Sequence, residues 1–120
     1  MIALSHSDRA AAAAFARCRA ASTVMKALAS EMRLRILDVL RERESCTVGK
    51  LAKAIGVDAS TVSQHVAILR CVGLVRSEKK DQWVICEVTP AGRRALDCCK
   101  QMMECVVERS RHGGSRGHCR

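Results

Sequence analysis

The sequence predicts a single, mainly helical domain that carries one small β-hairpin. The chain has 120 residues, which is enough for one domain and too few for two. Apolar residues recur at helical spacing along most of the chain, with capping residues at the expected ends. Two short runs, 74–78 and 83–88, are typical instead of β-strands separated by a turn. Together these observations predict a helical domain interrupted once, by the hairpin.

The first predicted helix is rich in alanine, the residue with the highest helix propensity, and covers residues 8–28. Asp8 or Ser7 is the expected N-cap. The helix offers one thin apolar face, formed by Phe15, Val24 and Leu28. A face this narrow requires a partner helix.

A second helix is predicted to begin after Ser30, which is a suitable N-cap, with Glu31 in its first turn. Its apolar residues recur at near-helical spacing: Leu34, Ile36, Leu37 and Leu40. Four arginines occupy its other faces, where we expect a solvated surface: Arg33, Arg35, Arg41 and Arg43.

Two short helices follow, joined by a tight turn. Thr47 can cap a helix over 48–55, Gly56 permits the turn, and Asp58 can cap a helix over about 59–71. The apolar positions are Val48, Leu51, Ala52 and Ile55 on the first helix and Val62, Val66 and Leu69 on the second. Two short helices joined by a turn containing glycine are the signature of a helix-turn-helix.

The predicted hairpin follows Gly73, with residues 79–82 as the turn between its strands. A hairpin after a helix-turn-helix is a wing, so the predicted fold is a winged helix-turn-helix. Thr89 and Pro90 then begin a last helix that runs to about residue 110, with Gly113 as its expected stop. We therefore assign residues 1–110 to the folded domain and 111–120 to a flexible basic tail.

The charge of the chain points to a polyanionic partner. The formal net charge is +9, and nucleic acid is the commonest partner of such a chain. The charge is unevenly distributed: residues 31–90 carry only +2, whereas 109–120 carry +4. Aromatic residues make up only 2% of the chain, which argues against a single-strand binder that stacks bases on exposed rings.

The cysteine content and the absence of targeting signals indicate the compartment. The chain has no apolar run of membrane-spanning length and does not begin with a signal-peptide pattern. We therefore expect a cytoplasmic protein with no membrane partner. Its eight cysteines are then expected to be free, metal-binding or redox-active. No cysteine is placed like an enzyme nucleophile at a helix start in a basic pocket, so we expect no enzyme and no organic cofactor.

The second helix of the helix-turn-helix is expected to enter the major groove of double-stranded DNA. It would present short polar side chains suited to base edges and phosphates: Ser60, Thr61, Ser63, Gln64 and His65. Because this helix has no Lys or Arg before Arg70, phosphate contacts must come from elsewhere. The expected sources are its N-terminal amides, the chain ends, and Lys79 and Lys80 of the wing.

Residues 26–90 resemble the ArsR/SmtB family of metal-responsive repressors. The resemblance lies in a combination of motifs, which here are ALASEMRLRIL, LAKAIG, VSQHVAILRCVGLV and a wing strand that begins with Trp83 and Val84. It implies a homodimer built by the first and last helices, which binds a pseudo-palindromic operator and leaves it when an effector binds. The resemblance implies the same five recognition-helix residues, Ser60, Thr61, Ser63, Gln64 and His65.

Two effector sites found in that family are absent from this sequence. The family's C-x-C pair in the first helix of the helix-turn-helix falls on Thr47 and Gly49, and Cys46 is alone and out of register. Zinc and nickel sensors use Asp, His and Glu on the last helix, but here Asp97 has no histidine before His112.

The last helix instead carries three thiols, Cys98, Cys99 and Cys105. Some arsenic repressors of the family carry a similar C-C-x5-C, so the resemblance implies that these thiolates bind As(III). Sb(III), Cd(II) and Hg(II) are related soft ions that thiolates also select.

On an unbroken helix, Cys98 and Cys105 lie about 10 Å apart along the axis. Either the helix breaks after Cys99, or Cys105 comes from the other subunit, or another thiol completes the set. Packing is the alternative role of these residues, because cysteine and methionine also suit a dimer interface.

The remaining thiols and histidines are weaker candidates. Cys18 could supply a thiol across the dimer, and Cys71 and Cys86 are expected in the core beside the wing. His112, His118 and Cys119 lie in the predicted tail, where they could close over an ion. The alternative function is a thiol-redox or persulfide-responsive repressor of the same fold, in which Cys46 would have to pair with a cysteine of the last helix.

Overall fold

The computed structural model describes residues 3–112 and confirms a mainly helical winged helix-turn-helix. Five helices and three strands follow in the order α1, α2, β1, α3, α4, β2, β3, α5. The helices are α1 His6–Leu28, α2 Glu31–Arg43, α3 Val48–Ile55, α4 Ala59–Cys71 and α5 Pro90–His112. The strands are β1 Ser45–Thr47, β2 Val75–Lys80 and β3 Trp83–Val88.

Most of the predicted helix caps are confirmed. The side chains of Ser30, Thr47 and Asp58 each accept a backbone N–H three residues ahead, at the starts of α2, α3 and α4. The expected N-cap of α1 is wrong, because Ser5 caps this helix and shares a capping box with Asp8. The reciprocal Ser5–Asp8 bonds satisfy two backbone donors at once, and α1 therefore begins two residues earlier than expected.

The wing belongs to a three-stranded antiparallel sheet with the order β1-β3-β2. The sequence predicted only β2 and β3. The turn between them is shorter than expected, because Asp81 adopts a positive φ of 54° and β2 continues through Lys80, which pairs with Trp83. The third strand, β1, has only three residues, and pairing with β3 defines it. Because β1 leads directly into α3, the sheet and the helix-turn-helix are joined at that point.

The hydrophobic core lies where α2 crosses the helix-turn-helix and the sheet. Helix α2 contributes four buried side chains, α3 and α4 contribute five, the sheet and its approach contribute five, and α5 contributes Leu96. Gly92 of α5 packs directly against the backbone of Leu74. The hydrophobic core thus holds α5 only through the first turns of the helix, and the described side chains beyond Cys99 are exposed.

Helices α1 and α5 project from this core. In α1 only Ala27 is buried, and Phe15 is 70% exposed. The radius of gyration is 18.7 Å, whereas a compact domain of this length would have about 13–14 Å. None of the helices in residues 3–112 is long and apolar enough to cross a membrane. Helix α5 includes Arg111 and His112, which we had assigned to the tail; the predicted stop at Gly113 and the rest of the tail lie outside the described residues.

Two of the four α2 arginines are not simply solvated. Arg35 and Arg43 are exposed as expected, whereas Arg33 and Arg41 are half-buried. The guanidinium of Arg41 forms an ion pair with Asp97 of α5. Asp38 of α2 accepts from Lys100 of α5 at 3.1 Å. These contacts connect α2 to α5 beyond the point where the hydrophobic contacts end, and they engage Asp97, the one acidic residue of α5 that resembled a metal ligand.

Candidate DNA-reading surface and cysteine sites

The N-terminus of α4 is fixed by Asp58. This carboxylate accepts the backbone N–H of Thr61 at 3.3 Å and the Thr61 hydroxyl at 2.5 Å. Both hydrogen bonds favour the charged carboxylate and so hold the pKa of Asp58 below its ordinary value. The bond from the Thr61 hydroxyl has the larger effect. The first turn of α4 is therefore rigidly presented to solvent, as a helix that enters a groove requires.

The five predicted reading residues of α4 fall into two groups. Ser60, Ser63 and Gln64 are exposed and can reach a nucleic acid without rearrangement. Thr61 and His65 are half-buried and already have partners within the protein. The Thr61 hydroxyl donates a hydrogen bond to Asp58, so this side chain also helps to hold the N-cap of α4.

Arg33 is the partner of His65 and was missed by sequence reasoning. Its Nη1 lies 3.2 Å from Nδ1 of His65. Its Nε donates to the carbonyl oxygen of Ala27 at 2.5 Å, and its Nη2 donates to that of Lys26 at 3.2 Å. These carbonyls belong to the last turn of α1, where no further helical turn follows to donate to them; the Lys26 oxygen also accepts the backbone N–H of Ala29 at 3.3 Å. One guanidinium thus joins the end of α1, helix α2 and the recognition helix.

The wing presents Lys79 and Lys80 as exposed side chains. They lie on β2 rather than in the turn, paired with Val84 and Trp83. Arg70 at the end of α4 donates to the Ser77 hydroxyl of β2 at 3.0 Å, which fixes the wing against the recognition helix.

An open groove of about 440 Å³ separates α3 from β3. Its lining includes Lys50, Lys53 and the exposed Trp83. Sequence reasoning did not single out these lysines, although their i, i+3 spacing on a short helix placed them on one face. They add two cations to the side of the helix-turn-helix next to the wing.

The three thiols of α5 lie on one continuous helix. Cys98 and Cys105 are exposed, and Cys99 is half-buried. Helix α5 runs without a break from Pro90 to His112, so of the three alternatives the break after Cys99 is absent. Among the described side chains of a single chain, residues 3–111, no three His, Cys, Asp or Glu are grouped closely enough to hold a metal ion. A shared site would therefore need a thiol from outside this set or from a second copy.

Cys46 and Cys86 face each other across the β1–β3 pair. Their exposed fractions are 5% and 0%. Burial and, to a smaller extent, the neighbouring Cys46 together raise the pKa of the Cys86 thiol to about 11, although Arg70 acts in the opposite direction. The cross-strand neighbour of Cys46 is thus Cys86, which argues against the hypothesis that Cys46 pairs with a cysteine of α5. Buried thiols with raised pKa values are chemically inert compared with exposed ones.

The other cysteines divide differently from the prediction. The core position expected for Cys86 is confirmed, but that expected for Cys71 is wrong, because this thiol is exposed at the last residue of α4. Helix α4 turns its apolar face inward at Val66 and Leu69, and Cys71 lies off that face. Cys18 is exposed on α1. The side chain of His112, together with His118 and Cys119, lies outside the described residues.

A capped recognition helix beside a three-stranded wing defines a winged helix-turn-helix protein, a class that binds DNA through the second helix of the motif. Residues 28–78 match the family described as a helix-turn-helix domain. The transcriptional activator HlyU of Vibrio cholerae is 37% identical over 76 residues, covering 63% of this chain and 69% of HlyU. The chain belongs to the ArsR/SmtB family of transcriptional regulators.

Other relatives and solved structures agree with this family. The repressor SmtB of Mycobacterium tuberculosis is 38% identical over 66 residues, covering 55% of this chain and 48% of SmtB. The arsenic resistance regulator ArsR1 of Pseudomonas putida is 34% identical over 86 residues, covering 71% of this chain and 64% of ArsR1. Reduced HlyU of Vibrio cholerae superposes with a TM-score of 0.62 at 30% identity, covering 72% of this chain and 90% of HlyU. NolR of Sinorhizobium fredii superposes with a TM-score of 0.66 at 27% identity, covering 85% and 96%.

Proposed function

We propose that this protein is a homodimeric repressor that leaves its operator when As(III), or a related soft ion, binds the thiolates of α5. The observation that carries the proposal is the exposure of Cys98 and Cys105 on α5, whose described side chains beyond Cys99 are all exposed. Thiolates are the ligands that soft ions select. The likeness to the arsenic resistance regulator ArsR1 supports the same effector class.

A dimer through α1 and α5 accounts for the apolar side chains that these helices expose. The largest are Phe15 and Met25 on α1 and Met102, Met103, Val106 and Val107 on α5. A soluble monomer rarely leaves so many large apolar groups on two helices without a partner. The solved homodimeric winged helix-turn-helix domain Mb0332 of Mycobacterium bovis shares the fold, with a TM-score of 0.64. Two copies related by a two-fold axis would present two recognition helices to a pseudo-palindromic operator.

The same symmetry offers a route to a shared metal site. Two α5 helices related by a perpendicular two-fold axis run antiparallel. An axis near residues 101–102 would set Cys98 opposite Cys105 of the partner subunit, because these positions are equally distant from the axis. Cys99 lies beside Cys98 on the same helix and can complete a three-thiolate set. The separation of about 10 Å within one helix then ceases to be an obstacle.

Complementation between two inactive variants tests this arrangement. One variant carries Cys105→Ser and the other carries Cys98→Ser with Cys99→Ser. Each alone should fail to release DNA when arsenite is added, as measured by fluorescence anisotropy of a labelled duplex. Mixed dimers contain one intact site if it spans both subunits, so the mixture should recover part of the response. A site within one chain predicts no recovery.

Cys18→Ser and Cys71→Ser are matched controls, because both thiols are exposed but lie on other helices. Both should retain the full arsenite response. A response that survives in the α5 variants, or is lost in the Cys71 control, contradicts the assignment. Metal titration of the reduced protein with elemental analysis then gives the ion and the stoichiometry.

A thiol-redox repressor is the second candidate, favoured by the likeness to HlyU, which was also solved in a reduced form. Under this hypothesis an oxidant such as hydrogen peroxide, without metal, releases DNA and joins two thiols. The exposed cysteines of α5 suit that role better than Cys46, which is buried. Peptide mapping of the oxidised protein under non-reducing conditions distinguishes the two candidates, because arsenite release requires no disulfide.

A further inference from the structure

We propose that Arg33 is a positioning residue that fixes His65 so that its Nε2–H points towards DNA as a hydrogen-bond donor. The proposal rests on the DNA-binding role described above and adds a residue that touches no base or phosphate itself. It assigns His65 a defined chemical form and assigns Arg33 the task of maintaining it.

The chemistry of the two side chains determines the direction of their contact. A guanidinium has only donor groups and cannot lose a proton in a protein. A ring nitrogen of His65 that lies 3.2 Å from Arg33 Nη1 must therefore act as the acceptor, which leaves Nδ1 without a proton. In the neutral imidazole the proton then resides on Nε2. The reading residue is thus held as a donor at one ring position.

Arg33 is itself held firmly enough to serve as a support. Its Nε and Nη2 donate to the carbonyl oxygens of Ala27 and Lys26 at the end of α1. The side chain is half-buried between α1, α2 and α4. Three acceptors on two elements leave the planar guanidinium little freedom, and its fork geometry suits several acceptors at once. A lysine at this position could not reach all three.

The place of His65 in the motif gives this donor a target. His65 follows the exposed Ser63 and Gln64 on α4 and is half-buried at the side of the helix next to α2. The group it meets on DNA is a hydrogen-bond acceptor, such as guanine N7 or O6, or a phosphate oxygen. The outcomes below distinguish a base acceptor from a phosphate acceptor.

Nitrogen NMR of the free protein tests the first half of the proposal. In ¹⁵N-labelled wild-type protein at pH 8, the long-range spectrum of His65 should show a protonated Nε2 and an acceptor Nδ1. Arg33→Met should give a mixture of the two tautomers, and Arg33→Lys should lie between them. His65→Ala assigns the signals. A wild-type spectrum with the proton on Nδ1 overturns the proposal, whether or not the protein binds DNA and whether or not the Arg33 variants fold.

A double-mutant cycle tests the second half. The probe is a labelled duplex selected by the wild-type protein from a randomised library, with a scrambled duplex as control. Arg33→Met and His65→Ala should each weaken binding to the selected duplex by about tenfold, the loss expected for one hydrogen bond to DNA. Because Arg33 acts through His65, Arg33→Met should cause no further loss in the His65→Ala background. Additive losses would show that Arg33 supports the fold only, and would overturn the proposal.

The two duplexes separate the possible acceptors. A base acceptor predicts loss of affinity on the selected duplex alone, whereas a phosphate acceptor predicts equal loss on both. If the wild-type protein selects no sequence, the proposed DNA-binding function fails. The tautomer result still stands on its own in that case.

Discussion

Replacing Gly92 with alanine should loosen α5 from the core, because the new methyl group has no room. An added Cβ would overlap the carbonyl oxygen of Leu74 and lie 2.7 Å from Val88 Cγ2. The Leu74 carbonyl cannot move aside, since it accepts the backbone N–H of Thr89 at 3.1 Å. The Thr89 hydroxyl in turn accepts the backbone N–H of Gly92 at 3.1 Å. The strand, the cap and the helix start are therefore locked together around this glycine.

The expected loss of stability is a few kcal/mol. Overpacking at a rigid site costs about 3 kcal/mol. Alanine regains about 1 kcal/mol of helix propensity relative to glycine. Gly92→Ala should therefore lower the free energy of unfolding by about 2 kcal/mol, a large share of the roughly 5–15 kcal/mol of an ordinary domain. The measurement is urea denaturation followed by far-UV circular dichroism, at one fixed protein concentration because dimerisation would shift the midpoint.

Gly49→Ala is the matched control for this experiment. Gly49 also lies in the first turns of a helix, but there an added Cβ would meet no described atom within 4 Å apart from its chain neighbours and its own helix backbone. The same substitution there should leave the protein unchanged or stabilise it by up to about 1 kcal/mol. If Gly92→Ala unfolds at the same urea concentration as the wild type, or at a higher one, the packing argument at Leu74 is refuted.

Three further predictions follow from the caps, the buried thiols and the basic end. Asp58→Ala should lower the urea midpoint and weaken DNA binding together, because it removes the cap that Thr61 shares; Asp58→Asn, which still accepts the N–H, should retain both. Burial in the folded protein raises the pKa of the Cys86 thiol from its ordinary value of 9.0 to about 11. Its contribution to stability should be complete below about pH 9 and should disappear by about pH 11; Cys86→Ala should lack this alkaline loss in pH-dependent denaturation. Deleting residues 113–120, which include two arginines, should reduce the slope of log affinity against log salt by up to about 2 while sparing sequence preference; loss of that preference would contradict the division of charge along the chain.

The elements that the sequence predicted well are those whose signals are local. The caps Ser30, Thr47 and Asp58 and the left-handed Gly56 each follow from one side chain and its own backbone. Strand β1 could not be predicted in this way, since only its pairing with β3 makes Ser45–Thr47 a strand. The N-cap of α1 was expected at Asp8 or Ser7, whereas the reciprocal capping box between Ser5 and Asp8 starts the helix earlier.

In the candidate sites, too, features set by neighbouring residues could be predicted, whereas contacts between residues distant along the chain could not. Exposure of Ser60, Ser63 and Gln64 follows from helical periodicity, so sequence reasoning could place them. The partner of His65 lies 32 positions away along the chain, and nothing near Arg33 distinguished it from the three other arginines of α2. The thiols of α5 are harder to assign, because the proposed three-thiolate set would need a second copy of the chain, and the sequence around these thiols carries no information about that contact.

The double bracing of the wing has a mechanical consequence for the proposed dimer. Strand β1 ties the sheet to the start of α3, and Arg70 ties β2 to the end of α4. Each winged helix-turn-helix is therefore expected to move as one rigid unit, with bending confined to the long helices α1 and α5. A tilt of about 5° along a helix of about 34 Å displaces its far end by about 3 Å. That displacement is close to the spacing of one base pair along DNA, about 3.4 Å. In the proposed dimer, a small rotation where α1 and α5 join the two units would therefore shift the two recognition helices out of register with the operator.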